Sequence, residues 1–194
     1  MSIMHAVAAV GADAPAKVVQ VGGVDSAGDL RPLTINTDGS SIVVGNSGAV
    51  AVTLSLDTSA YGAGDLLADT QEVANAMRVA AGTGGIHSIV LNDKDDQGAE
   101  LYLVFLSANV SLGTENSAPS ITDANADSIL GIVPVYTSDW VDLGGCRIAT
   151  LTNVGLVVKA ATGSTSLYIA AVNGAGTPTY SAAGITMRLG LWRD

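Results

Sequence analysis

One cysteine, one phenylalanine, two tryptophans and eight basic residues are all that 194 residues contain of those types, and each scarcity removes a class of protein. A lone Cys146 closes no intrachain disulfide and assembles no thiolate metal site, so stability has to come from packing or association; its expected place is that of a small buried apolar residue. Eight Lys and Arg against eighteen Asp and Glu give a formal charge of −10. Nucleic acid is therefore not an expected partner, because phosphate backbones are bound by clustered cations. No apolar run approaches the length that spans a bilayer, so no membrane partner is expected either. The short apolar stretch from Met1 to Val10 has no Lys or Arg before it, which departs from the pattern of a secretory signal and points to a soluble protein made in a cytoplasm.

What is present is aliphatic and turn-rich. Hydrophobic residues make up 48% of the chain while aromatics supply 4%, so the core has to be built from Val, Leu, Ile and Ala, a mix suited to strands. The 23 glycines supply the backbone freedom of tight turns between short strands. A chain of this length buries roughly 70% of its unfolded surface, enough for one good-sized core with a small accessory module.

Three segments follow from the pattern. Residues 1–17 are rich in small residues without sustained helical periodicity and are expected to form a flexible arm. Residues 18–51 read as a small β-module. Val18–Val21 runs into Gly22-Gly23, Leu30–Ile35 contains Pro32, and Asp38-Gly39 marks a turn before Ile42–Val44. Pro32 donates no ladder hydrogen bond, so its strand should lie at an edge or begin there. A meander this small rarely folds alone, so its apolar and flanking residues Val19, Val21, Val24, Leu30, Arg31, Leu33 and Ile35 are the candidate protein-interface positions. Residues 52–194 read as a sandwich or barrel of closely spaced strands. The expected strands are 52–56, 73–79, 86–91, 100–106, 132–136, 147–150, 154–159, 167–172 and 185–192. Alternation is clearest in Arg147–Thr152 and Ile185–Leu189, which should each have one wet face. Thr70–Ala81 also suits an amphipathic helix, and Thr122 suits the cap of a short helix crossing between sheets.

Candidate chemistry is sparse. Asp93-Lys94-Asp95-Asp96-Gln97-Gly98 resembles the start of a calcium loop, but the twelfth position, which needs a bidentate glutamate, is Val104. A solvated hairpin between Leu91 and Leu101 is the expectation there. Asp123, Asp127, Asp139 and Asp142 form a loose acidic series of the kind that paired carboxylates in glycoside cleavage require. Trp140 stands beside them as a sugar platform or, more in keeping with the scarcity of aromatics, a core or interface anchor. The two histidines, His5 and His87, fall in the arm and in a Gly-rich segment read as a hairpin, and no Gly-x-Ser-x-Gly elbow occurs. Gly82, Gly84 and Gly85 lack the following helix and Lys of a phosphate cradle and read as turn residues. No catalytic residue, metal or cofactor is expected, and the protein is read as a non-enzyme.

Two stretches carry a family resemblance. Gln20–Asp25 through Arg31-Pro32-Leu33 to Thr37-Asp38-Gly39 resembles a small β-module near the start of phage virion proteins. Ala74–Val79, Asn92–Asp96 and Ile121–Gly131 are similar to a phage β-sandwich domain. The resemblance is to structural proteins of tailed bacteriophages, the head decoration or cement type. It implies an all-β, jelly-roll-like sandwich behind the N-terminal meander and arm, with Val73–Val79 extended. It further implies a symmetric oligomer, a trimer by analogy, with the major capsid protein and its own copies as partners, and a place on the capsid exterior after assembly in the host cytoplasm. A tail, head-fibre or baseplate adaptor and a carbohydrate-binding module or hydrolase are the rival readings. The module's unpaired edges call for neighbouring chains on physical grounds alone.

Overall fold

A computed structural model describes residues 47–193 and, as backbone, the strands β1 (Gly22–Val24) and β2 (Leu30–Pro32). Chain contacts divide it into two units, Met1–Gly45 and Asn46–Asp194. In the first, β1 and β2 pair antiparallel with Gly22 opposite Pro32 and Val24 opposite Leu30. A two-stranded sheet is all edge, which is where a proline is tolerated. The expected arm at 1–17, the turn at Asp38-Gly39 and the strand at Ile42–Val44 lie outside the described residues.

The second unit is an antiparallel sandwich. Its strands are β3 (Ser47–Thr53), β4 (Leu66–Val73), β5 (Thr83–Asp93), β6 (Leu101–Leu106), β7 (Ile129–Val135), β8 (Trp140–Asp142), β9 (Arg147–Lys159), β10 (Leu167–Asn173) and β11 (Ile185–Arg193). One sheet has the order β3-β11-β5-β9-β8 and the other β4-β10-β6-β7. The pairs β3·β11, β4·β10, β5·β9 and β6·β7 are successive rungs of one long hairpin whose tip is the β6–β7 connection. Wrapping that hairpin so that alternate rungs fall in opposite sheets, closed by β11·β5 and β10·β6, is the jelly roll, the double-sheet answer to open edges.

Alternation decides what faces inward. Met187, Leu189 and Leu191 of β11 and Ile89 and Leu91 of β5 enter the core, while Arg188 and Trp192 point away. Leu101, Leu103 and Phe105 meet them from the other sheet. The one phenylalanine and the tilted pair Tyr61–Tyr180, with ring centroids 6.3 Å apart, supply most of the aromatic bulk. A second apolar cluster lies on the opposite face of the four-stranded sheet, where Leu112 of the β6–β7 connection packs on Leu66, Val104, Leu106 and Ala170. Both faces of that sheet are thus largely covered.

Several expectations need correction. Val73 ends a strand instead of starting one, and 74–82 is neither strand nor helix. Asn75 and Ala81 adopt positive φ (55° and 58°), which interrupts both regular forms, while Ala76 and Met77 are buried and the Met77 N–H reaches the Thr165 carbonyl. The segment is the passage from one sheet to the other. The stretch Arg147–Lys159 is one strand, bent where Asn153 and Gly155 take positive φ (57° and 68°). Thr122 does cap a helix, α1 (Asp123–Ala126), with its Oγ1 accepting from the Asn125 N–H. That helix joins β6 to β7 within one sheet, so it does not cross between sheets. Gly84 and Gly85 are strand residues, and a Cβ at Gly84 would run into the Trp192 carbonyl. Cys146 is half-buried beside a turn rather than in the core.

Candidate functional site

The calcium-like string is spent on the protein's own backbone. It is not a hairpin, because β5 and β6 belong to different sheets and the loop carries the chain across. Asp93, fully buried at the end of β5, turns its carboxylate into this loop: Oδ1 accepts from the Asp95 N–H (3.0 Å), and Oδ2 from those of Gln97 (2.9 Å) and Gly98 (2.7 Å). Burial raises its pKa above the ordinary aspartate value, and the three donors oppose that shift. Asp95 accepts from the Ser181 N–H and Oγ, fastening the β10–β11 connection. Asp96 holds Arg147 through a 2.8 Å contact, with Asp142 more distant at 3.4 Å. Gly98 has φ 59°, and a side chain there would strike Arg147. The loop is a knot that ties three connections together, and its acidic oxygens face protein donors.

The other acidic series is dispersed. Asp139 accepts from the Tyr136 N–H and Asp142 from that of Gly144, while Asp123 opens α1 and Asp127 follows its last residue. Among the described residues no group of three or more His, Cys, Asp or Glu side chains is placed to hold a metal ion. Trp140 is 8% exposed and its Nε1–H donates to the Ala99 carbonyl at 2.9 Å, so the indole is a core anchor and offers no stacking platform. His87 sits in β5 at an irregularity of register, not in a hairpin, and its ring stacks on Trp192 with centroids 4.4 Å apart. The hollow beside that pair, about 310 Å³, is lined by backbone and small residues of β3 and β11 and holds no carboxylate. A second hollow of about 320 Å³ near Gln97 and Pro178 is lined by no acid, base or thiol.

What the sandwich does present is surface. Exposed apolar side chains gather along the two sheet edges that meet at the β7–β8 turn: Tyr102, Ile132 and Tyr136 on one side, Val141 and Leu143 on the other. Ile132 lies opposite Val104 and Pro134 opposite Tyr102, so the outer side of β7 is apolar where the β6–β7 connection leaves it bare. Tyr102 gives its hydroxyl proton to Glu100 at 2.8 Å. Val157 (76% exposed) and Trp192 (58%) stand on the outer side of the five-stranded sheet.

Of the interface positions expected from sequence, Val24, Leu30 and Arg31 fall on the paired backbone of β1 and β2, with Arg31 opposite Gly23. Val19, Val21, Leu33 and Ile35 lie outside the described residues. None of the exposed sandwich residues was singled out in advance. The usable signal was the polar phase of Ile185–Leu189, which already sets Arg188 on a wet face, with Trp192 following in the same phase.

No family model matches the sequence, and no curated protein matches it. Among solved structures, the chain is similar to that of Desmodium yellow mottle tymovirus, at 13% identity over 92% of this chain and 94% of that one, with a TM-score of 0.26. It is also similar to infectious bursal disease virus Gx strain (17% identity, 93% and 44% covered, TM-score 0.19) and to the VP2 subviral particle of the same virus (12%, 82% and 45%, 0.18). The chain spans less than half the length of the latter two. Scores this low support no argument, and the fold rests on strand order and pairing.

Proposed function

We propose that this protein is a non-enzymatic structural subunit of a virus particle, a bacteriophage capsid decoration protein that binds the major capsid protein and its own copies on the outside of the shell. The observation that carries the reading is that five of the eight large apolar side chains exposed among the described residues, Tyr102, Ile132, Tyr136, Val141 and Leu143, lie on β6, β7, β8 and the turns beside them. Exposed apolar groups concentrated on one region mark sites of association. The jelly roll is an architecture shared by viral capsid and lectin domains, and it hosts function at its surfaces without dictating which. The sequence likeness to phage virion modules supports the capsid reading over the lectin. The burial of Trp140 weighs against a sugar platform at the acidic series.

Antibody labelling of intact particles tests this reading. Label spread over the shell in many copies is the expected result. Label confined to one vertex would move the protein to a tail or head-fibre adaptor, and particles without label would remove it from the virion.

A further inference from the structure

The two outward sides of the sandwich differ in charge. Cross-strand register places Thr53, Thr186, Asn92 and Ile148 in one outer row of the five-stranded sheet, then Ala51, Arg188, Val90 and Thr150, then Ala49, Gly190, Ser88 and Thr152. Trp192 and Val157 belong to the row beyond. Among the described residues this face carries no Asp or Glu, although the chain has eighteen. Arg188 stands exposed near its middle with no hydrogen-bond or ion-pair partner among the described residues. Small neighbours leave the surface level, and a Cβ at Gly190 would have to displace Ser88 Oγ.

The other side is its complement. The β6–β7 connection, lying over the four-stranded sheet, carries Glu115, Asp123 and Asp127. Asp123 and Asp127 are exposed, four residues apart across α1, and paired with no cation among the described residues.

We infer that the outer face of the five-stranded sheet, centred on Arg188 and Trp192, is the contact surface for a second copy of this chain, which presents its β6–β7 connection. This rests on the proposed assembly function and names the surface that serves it. Arg and Trp are the residue types that anchor interfaces when surrounded by small contacts that exclude water. Charge selects the geometry. Two such faces meeting about a two-fold axis would set Arg188 against Arg188 with no carboxylate to separate them, whereas front-to-back packing brings Arg188 to Asp123 and Asp127. A front-to-back contact is heterologous and grows into a ring or an open stack.

Sedimentation velocity of the full chain over a concentration series tests the inference. Arg188→Glu should weaken association about tenfold or more through like-charge contact. The pair Asp123→Lys with Asp127→Lys should weaken it similarly, and the triple variant carrying all three changes should recover it. Trp192→Ala should weaken it without rescue. Arg188, Asp123 and Asp127 are exposed, so circular dichroism and melting of their variants should match the unaltered protein, separating lost contact from lost fold; Trp192→Ala also loses the His87 stack, and its circular dichroism should still match. A wild-type oligomer that all four variants leave intact overturns the inference while sparing the proposed function. A monomer that still binds capsid shells, or cross-links from this face to residues 1–45 of the same chain, does likewise. A monomer that binds no shell overturns both.

Discussion

Replacing Asp93 with alanine takes away the acceptor for three backbone N–H groups at once. Of those donors Gly98 N is buried, and the N–H groups of Asp95 and Gln97 are partly so. An unpaired buried donor costs about 1–3 kcal/mol, and the partly exposed pair recovers some of its loss from water. The sum is about 3 kcal/mol, which is a large share of the ~5–15 kcal/mol that holds a domain together. Relief from burying a carboxylate trims the loss slightly. Asp93→Asn keeps one acceptor oxygen and should fall between. Urea unfolding followed by tryptophan fluorescence reads the change as a lower midpoint at constant slope. A loss below about 1 kcal/mol for the alanine variant would refute the claim that this carboxylate organises the β5–β6 crossing.

Because the oxygens of Asp93 already face N–H groups and Asp96 already holds Arg147, adding calcium or a chelator should leave the melting temperature unchanged; a rise with calcium would mean that the loop can still be a cation site. Trp140 should emit at short wavelength and resist iodide, while the exposed Trp192 is quenched, and Trp140→Phe should cost about 1–3 kcal/mol by leaving the Ala99 carbonyl unpaired. Burial raises the Tyr61 hydroxyl to about 12 and pushes Tyr180 up as well. A phenol raised on folding is favoured in its protonated form, so that stability is intact below the ordinary value of about 10 and drains away as pH climbs through about 12. Ultraviolet titration should therefore show Tyr61 and Tyr180 ionising late and together with unfolding; a single early step for all the phenols would contradict it.

The parts of the fold written locally were legible. Arg147–Thr152 and Ile185–Leu189 alternate because one side faces the core and the other water, and Thr122 announces α1 through a side chain that bonds within its own turn. Leu66–Val73 escaped notice because the β6–β7 connection covers its second face: Leu66 packs there while Leu67 and Ala68 enter the main core, and alternation disappears. Trp140–Asp142 is too short to show a period. The loop at Asp93, expected as a solvated hairpin, resembles the start of a calcium loop because carboxylates spaced for a cation are equally spaced for the N–H groups of their own turn. Arg188 was visible as one wet residue, but an acid-free face exists only once β3, β11, β5 and β9 are in register, and His87 shifts that register by a residue. Association surfaces are made of neighbours that sequence does not place side by side.

Image reconstruction of the virus particle should reveal jelly-roll density in many symmetric copies on the outer shell, with the β7–β8 edges against capsid subunits. Shell density with those edges bare, or particles complete without this protein, would contradict it.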